Sequence, residues 1–215
     1  MYSHLLFDLD GTLTDSGPGI MNSAAYALKK HGIDVTDPAL LNRFIGPPLT
    51  ESFMRFAGMS EEEAIAAVAD YREYFVPHGM FENAVYEGIP QLLSDLKAGG
   101  KRLIIATSKP EKFALEIMEH FDLLRYFDCV FGASMDLSHS KKSDIIARAL
   151  TTVGISPQDA LMIGDRSHDI DGAHANGVRA VGVLYGYGDR EEHLAAGADY
   201  IVATVQELGE LLGKV

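Results

Sequence analysis

The chain has 215 residues, which is enough for one large core or for a core domain with a smaller companion. Its 47% hydrophobic and 23% charged residues are ordinary for a globular protein. Eighteen basic residues against thirty-one acidic ones give a net charge of −13, which opposes non-specific binding to nucleic acid polymers and to membranes. A small anionic substrate stays possible, because a bound metal ion and one or two lysines can reverse the potential locally.

Few features of the sequence bear on cellular location. No window approaches the unbroken apolar length of a membrane span, and the first residues lack the basic region of a secretory signal. The single cysteine, Cys129, excludes an internal disulfide and fits a reducing cytosol. We therefore expect a cytoplasmic protein, of an oligomeric state that the sequence does not indicate.

Short apolar runs alternate with helical patterns along most of the chain. The predicted strands are 5–7, 103–106, 130–131, 161–163 and 180–184. The predicted helices are 88–98, 110–120, 142–153 and 167–176, and glycines suited to left-handed C-terminal caps follow three of them. This alternation predicts an α/β fold, namely a Rossmann-like three-layer α/β/α core with a parallel sheet.

One region interrupts the alternation. Between residues 16 and 80 the sequence has only helical patterns, at 19–31, 49–57 and 61–75, and the segment 44–49 with its two prolines predicts a loop. The simplest interpretation is a helical cap domain, 16–80, inserted after the first strand of a core domain made of 1–15 and 81–215. Alternatively, these helices complete one compact domain.

Polar residues follow the carboxyl ends of the predicted strands, or open the helices after them. They are Asp8, Asp10, Thr107, Ser108, Lys142, Asp165 and Asp169. Ligands of parallel sheets bind at that edge, and two neighbouring carboxylates resist joint ionisation unless a cation or a proton neutralises them. The pattern therefore indicates a metal-assisted site, in which either Lys141 or Lys142 could supply the ammonium.

These motifs resemble, in chain order, those of the haloacid dehalogenase-like (HAD) hydrolases. The resemblance rests on the Asp-Leu-Asp-Gly-Thr-Leu run at 8–13, the hydroxyl after an apolar strand, the helix-opening lysine and the Gly-Asp-x-x-x-Asp run at 164–169. The helical block resembles that family's small cap. Within the family the chain is most similar to phosphoglycolate phosphatase-like enzymes, and the runs at 107–111 and 142–146 resemble the 5′-nucleotidase-like branch.

The resemblance implies a Mg²⁺-dependent phosphatase that hydrolyses small phosphorylated metabolites through an aspartyl-phosphate. Asp8 would be the nucleophile, and Asp10 the general acid and then the general base. Thr107, together with Ser108, would bind the transferring phosphoryl group, and Lys142 would bridge that group and Asp8.

The resemblance also implies a metal site. Mg²⁺ would be held by Asp8, the backbone carbonyl of Asp10, and Asp165. Asp169 would act on the metal directly or through water, or would brace Lys142. His168 lies between the last two acids, where we expect it to face solvent rather than to bind the metal.

Substrate choice would depend on the cap loop. Arg43 could bind a carboxylate or a second phosphate bidentately, close to Gly46, or it could be a surface arginine. Lys109 could help to bind phosphate or simply start a helix. Nucleoside 5′-monophosphates, phosphoglycolate and sugar phosphates all stay open as substrates.

Other activities of this family fit the sequence less well, or demand features that it does not show. A phosphosugar mutase would share the chemistry of Asp8 and Asp10, whereas a dehalogenase would not need Asp10. Phosphonate cleavage would need a Schiff-base lysine in the cap, whose lysines, Lys29 and Lys30, lie on a helical face. A non-catalytic phosphate-binding or interaction module predicts decay of the catalytic set, yet every member is present.

Overall fold

The computed structural model describes residues 2–35, 37–135 and 140–215. The chain divides into two compact units, Met1–Thr14 with Val85–Val215 and, separately, Asp15–Ala84. The sequence-based domain boundaries, 15/16 and 80/81, lie close to these divisions. Within the described part of the chain, no helix is long and apolar enough to cross a membrane.

The larger unit is built on a parallel sheet. The strands of the whole chain are β1 (His4–Phe7), β2 (Thr14–Asp15), β3 (Ala84–Val85), β4 (Arg102–Pro110), β5 (Cys129–Ala133), β6 (Ala160–Gly164), β7 (Arg179–Val183) and β8 (Tyr200–Val202). Six of these described strands form one sheet in the order β5-β4-β1-β6-β7-β8, in which each described pair is parallel. β2 and β3 form a separate two-stranded sheet.

Helices alternate with the strands of this sheet. They are α5 (Ile89–Ala98), α6 (Glu111–His120), α7 (Lys142–Val153), α8 (Ser167–His174), α9 (Arg190–Ala195) and α10 (Val205–Leu212), counted after the four helices of the smaller unit. The strands are buried on both faces, as parallel strands covered by helices must be. Leu6, Ile104 and Met162 of adjacent strands share one buried cluster with Ile146 of α7 and Ala173 of α8.

The predicted α/β fold is confirmed. Each predicted strand corresponds to an observed one, but β4 continues to Pro110, past the predicted end at residue 106. The sequence-based assignment also ends at residue 184 and so omits β8, α9 and α10. Because β8 has three residues, it is too short to show the period of a strand.

The smaller unit is helical. It contains α1 (Gly17–Lys30), α2 (Pro38–Asn42), α3 (Leu49–Ala57), α4 (Glu61–Tyr74) and a π-helical turn at Phe75–Gly79. Ser60 begins α4 with a capping box, because its hydroxyl accepts the N–H of Glu63 while the Glu63 carboxylate accepts the N–H of Ser60. Residues 43–48 form the predicted loop between α2 and α3, where Phe44 packs edge-on against Phe53.

Candidate active site

Three adjacent strands bring the predicted catalytic segments together. β1 lies between β4 and β6, and Phe7 is level with Ile105 on one side and with Ile163 on the other. The next residue, Asp8, still donates its backbone N–H to the carbonyl of Ile163 at 2.9 Å. Asp8 therefore leaves the sheet beside the carboxyl ends of both neighbouring strands, where ligands of such sheets bind.

Lys142 connects these segments. As the first residue of α7, it places Nζ 2.9 Å from Oδ1 of Asp8, 2.7 Å from Oδ1 of Asp169 and 3.0 Å from the carbonyl oxygen of Ala106. Its side chain is 2% exposed, whereas the neighbouring Lys141 is exposed. Burial by itself lowers the pKa of Lys142, but the two carboxylates outweigh it and raise the pKa above its usual value. The ammonium therefore stays charged.

Three buried carboxylates form a possible metal site. Asp8, Asp165 and Asp169 each offer an oxygen atom, and these atoms lie within 4.8 Å of one another. Gly164 leaves room for the Asp169 carboxylate, because a Cβ at position 164 would lie 2.2 Å from the carboxyl carbon of Asp169. Burial, followed by the charges of Asp169 and Asp8, raises the pKa of Asp165 well above its usual value. Closely spaced hard oxygens that repel one another suit a small divalent cation such as Mg²⁺.

Asp10 lies outside this carboxylate cluster. Its Oδ2 is 3.0 Å from Nζ of Lys109, and both side chains are largely buried. Thr107 is buried within β4, and its hydroxyl oxygen accepts the backbone N–H of Lys109 at 3.3 Å. Ser108, between them, is half-buried. β4 thus extends past residue 106 to include Thr107 and Lys109, both of them buried, in a stretch where its pairing with β5 is irregular.

The predicted cap residues belong to the smaller unit. Arg43 is exposed, with its guanidinium carbon 4.1 Å from the ring centre of Phe56 in the same unit. Gly46 has a φ of 102°, in the region that favours glycine. Substrate binding by these two residues stays a prediction.

Some residues near the site were not assigned a role from the sequence, or were placed wrongly. His168 is half-buried rather than solvent-facing, and burial lowers its pKa. Thr12 is fully buried, with its hydroxyl 3.5 Å from Oδ1 of Asp165. The backbone N–H of Tyr187 donates to Oδ2 of the same aspartate at 2.8 Å. The Tyr-Gly-Tyr-Gly run at 185–188 was the available signal, because glycines at a strand end often mark a close approach of the backbone.

Comparison with known proteins decides the family. The model of the haloacid dehalogenase-like hydrolases matches residues 5–183. The chain belongs to this family. Several relatives and solved structures that resemble this HAD hydrolase over nearly its whole length are phosphatases or a nucleotidase by name, and the chain is a phosphoric monoester hydrolase. Others carry the names of a tyrosine-protein kinase and a β-phosphoglucomutase.

Three curated relatives illustrate the range of names. A 5′-nucleotidase from Pseudomonas aeruginosa is 44% identical to this HAD hydrolase over 98% of the chain and 96% of its own length. The tyrosine-protein kinase PtkA from Mycobacterium tuberculosis is 42% identical over 97% of the chain and 72% of its own length. A phosphoglycolate phosphatase from Chromobacterium violaceum is 32% identical over 96% and 94% of the two chains.

A solved structure shows the same fold. The crystal structure of a "predicted phosphatase" from Clostridium acetobutylicum superimposes on this HAD hydrolase with a TM-score of 0.98. The two chains are 49% identical, and each is covered over its full length.

Proposed function

We propose that this hydrolase is a Mg²⁺-dependent phosphatase that cleaves small phosphomonoesters through an aspartyl-phosphate on Asp8. The observation that carries the proposal is the position of Lys142, buried between Asp8 and Asp169 at 2.9 and 2.7 Å. This ammonium offsets part of the charge of the three clustered acids, and a divalent cation bound to them would offset the rest. The site could then accept the phosphoryl group of a phosphate ester beside Asp8.

The roles proposed for the two aspartates are those of the family's motif, and the two carboxylates have different lysine partners. Asp8, beside Lys142, attacks phosphorus, because the nearby positive charge offsets the repulsion between a carboxylate and a phosphate ester. Asp10, paired with Lys109 instead, donates a proton to the leaving oxygen and then accepts one from the hydrolytic water. The hydroxyl of Thr107 and the Ser108 segment bind the phosphoryl oxygens.

Asp8, Asp165 and Asp169 fit a divalent cation, and the backbone carbonyl of Asp10 and waters would complete its shell. Mg²⁺ bound there would withdraw charge from the phosphoryl oxygens. Two of these ligands are shielded from bulk solvent, since Asp165 is 1% exposed and Asp169 is fully buried.

Within this class, we propose nucleoside 5′-monophosphates as the preferred substrates, ahead of phosphoglycolate. The relative named 5′-nucleotidase is 44% identical, against 32% for the one named phosphoglycolate phosphatase. Arg43 and Gly46, in the helical unit that we propose to act as the cap, would contact the leaving group. The cytoplasmic location stays a prediction from the single cysteine.

A substrate screen tests this proposal. Purified protein with Mg²⁺ is assayed for phosphate release from nucleoside 5′-monophosphates, phosphoglycolate and sugar phosphates, ranked by kcat/KM. Nucleotides are expected to rank first, activity is expected to disappear with EDTA, and Asp8→Asn is expected to lose turnover. Full turnover by Asp8→Asn would exclude nucleophilic catalysis by that residue. No turnover of any ester would favour a non-catalytic binding module.

A second candidate is phosphoryl transfer to a hydroxyl other than that of water. The relative named tyrosine-protein kinase, 42% identical, favours a tyrosine acceptor, while a phosphosugar mutase would return the group to a sugar. An aspartyl-phosphate can be attacked by either kind of hydroxyl. Incubation with γ-labelled ATP and tyrosine peptides, and a coupled assay of sugar phosphate isomers, distinguish these activities from hydrolysis.

A further inference from the structure

The segment after β7 lies directly against the acidic cluster. Residues 185–188, called here the 185–188 loop, contact Asp165 through their main chain: the N–H of Tyr187 donates to Oδ2 at 2.8 Å. A Cβ at Gly186 would lie 2.4 Å from Cβ of Asp165, and one at Gly188 would lie 2.0 Å from the Asp165 carbonyl oxygen. Only glycine fits at these two positions without moving Asp165.

The same loop also contacts the turn that follows the nucleophile strand. The hydroxyl of Tyr185 donates to the carbonyl oxygen of Thr12 at 3.1 Å. A Cβ at Gly186 would also lie 2.3 Å from the carbonyl oxygen of Gly11. The loop therefore lies between Asp165 and the 11–12 turn and contacts both.

These contacts restrict the carboxylate of Asp165. One oxygen, Oδ2, is bound by a backbone N–H, and the other, Oδ1, lies 3.5 Å from the hydroxyl of Thr12. A carboxylate held in this way cannot rotate freely. Groups that orient a ligand in advance reduce the reorganisation that metal binding requires, and their loss weakens metal affinity.

We propose that the 185–188 loop is a positioning element, which holds the Asp165 carboxylate in its metal-binding orientation and ties it to the 11–12 turn. The inference rests on the proposed Mg²⁺ dependence. The residues of the 185–188 loop would contact neither the substrate nor the metal, and they would act through Asp165. Disturbing the loop should weaken Mg²⁺ binding more than it weakens the fold.

Gly186→Ala is the decisive variant. The backbone of Gly186 lies outside the left-handed region, so alanine fails there only because its Cβ has no room. Gly213→Ala is the matched control, since Gly213 has a φ of −73° and its Cβ would meet nothing closer than 3.4 Å. Tyr185→Phe removes the hydroxyl bond to Thr12 and adds no atom.

The measurement is the Kd of Mg²⁺ alone, by calorimetry on the metal-stripped full chain, together with the Tm of that chain without metal. Gly186→Ala is expected to raise the Kd by about 10-fold or more. Its kcat is expected to return towards the wild-type value at saturating Mg²⁺, and Gly213→Ala to match wild type throughout. An unchanged Kd in Gly186→Ala, or an equal rise in Gly213→Ala, would overturn the proposal.

If Gly186→Ala does not fold, Tyr185→Phe is measured instead. A raised Kd for Mg²⁺ in that variant would support the proposal, and an unchanged Kd would overturn it. Mg²⁺ binding by the wild-type protein distinguishes failure of the proposed Mg²⁺ dependence from failure of the positioning role. A wild-type protein that binds no Mg²⁺ would overturn the proposed Mg²⁺ dependence and this inference with it. Wild-type binding with unchanged variants would overturn the positioning role alone.

Discussion

The ammonium of Lys109 lies 3.0 Å from Oδ2 of Asp10, with the two side chains 5% and 12% exposed. This contact gives the two aspartates that follow β1 different cationic partners. Asp8 has Lys142 as its cationic partner, and Asp10 has Lys109. Each carboxylate that we assign to catalysis is therefore turned towards its own lysine.

The Lys109–Asp10 pair should show energetic coupling. Lys109→Met or Asp10→Asn alone removes one member of a buried ion pair and leaves the other. The losses of stability in the two single variants are therefore expected to sum to more than the loss in the double variant. We expect a coupling energy of about 0.5–3 kcal/mol in a double-mutant cycle. Urea unfolding of the four metal-free proteins measures it, and additive effects would contradict the ion pair.

Lys142 and its neighbour allow a matched comparison. Lys142→Met removes the ammonium from between Asp8 and Asp169 and is expected to reduce the free energy of unfolding by about 3–5 kcal/mol. It should also abolish phosphatase activity. Lys141→Met, at an exposed position, should leave both quantities near wild type. Equal effects of the two substitutions would argue against the role that we assign to Lys142.

Ionisation of Asp165 should reduce the stability of the metal-free protein as the pH rises above the acidic range. The pKa of Asp165 is raised in the folded state, chiefly by burial and then by Asp169 and Asp8, so folding favours its protonated form. Below the pKa of the unfolded chain, near 3.8, this group costs nothing. Above it, the penalty grows until the pH passes the raised folded-state pKa.

Asp165→Asn isolates that effect from other acid-induced changes. At neutral pH in EDTA its Tm is expected to exceed that of wild type by at least about 2–4 °C, the change that 1 kcal/mol produces in a chain of this size. The difference should shrink towards pH 4, and the variant should lose the stabilisation by Mg²⁺. Scanning calorimetry at several pH values measures both, and a pH-independent difference would refute the explanation.

The cap loop makes a further prediction. Arg43→Met should raise KM for substrates with an anionic leaving group by about tenfold or more, because a hydrogen bond to a charged group contributes about 1.5–3 kcal/mol. Arg55→Met is the control, since Arg55 is also exposed and contacts the same Phe56 ring, at 5.5 Å. Steady-state kinetics are measured with substrates whose leaving groups are anionic or neutral. A rise in KM confined to the anionic leaving group would support binding by Arg43, and an unchanged KM would indicate a surface role.

The sheet could be predicted because its strands are apolar on both faces and end at polar residues. The elements after residue 184 could not, since β8 has three residues and α9 has six, too few for a period to show. The Lys109–Asp10 contact was missed for a related reason. Ending the predicted strand at residue 106 left Thr107 and Lys109 outside it, whereas β4 includes both.

The acids of the cluster were recognised from spacing, but the main-chain support of Asp165 was not. The support depends on where residues 185–188 pass in space, although Tyr187 is 22 positions from Asp165 in the chain. Sequence patterns report local period and local turn chemistry. Contacts between a distant loop and a strand end require the folded sheet.

Lys142 contacts Asp8, Ala106 and Asp169, which come from three well-separated parts of the chain. While a ribosome synthesises the chain from its amino terminus, the nucleophile emerges early but its counter-ion and the last acid emerge much later. We therefore expect the nascent chain not to hydrolyse phosphate esters until Asp169, in the first turn of α8, has been made. Onset of turnover would then report that β1, β4 and β6 have assembled with α7 and α8.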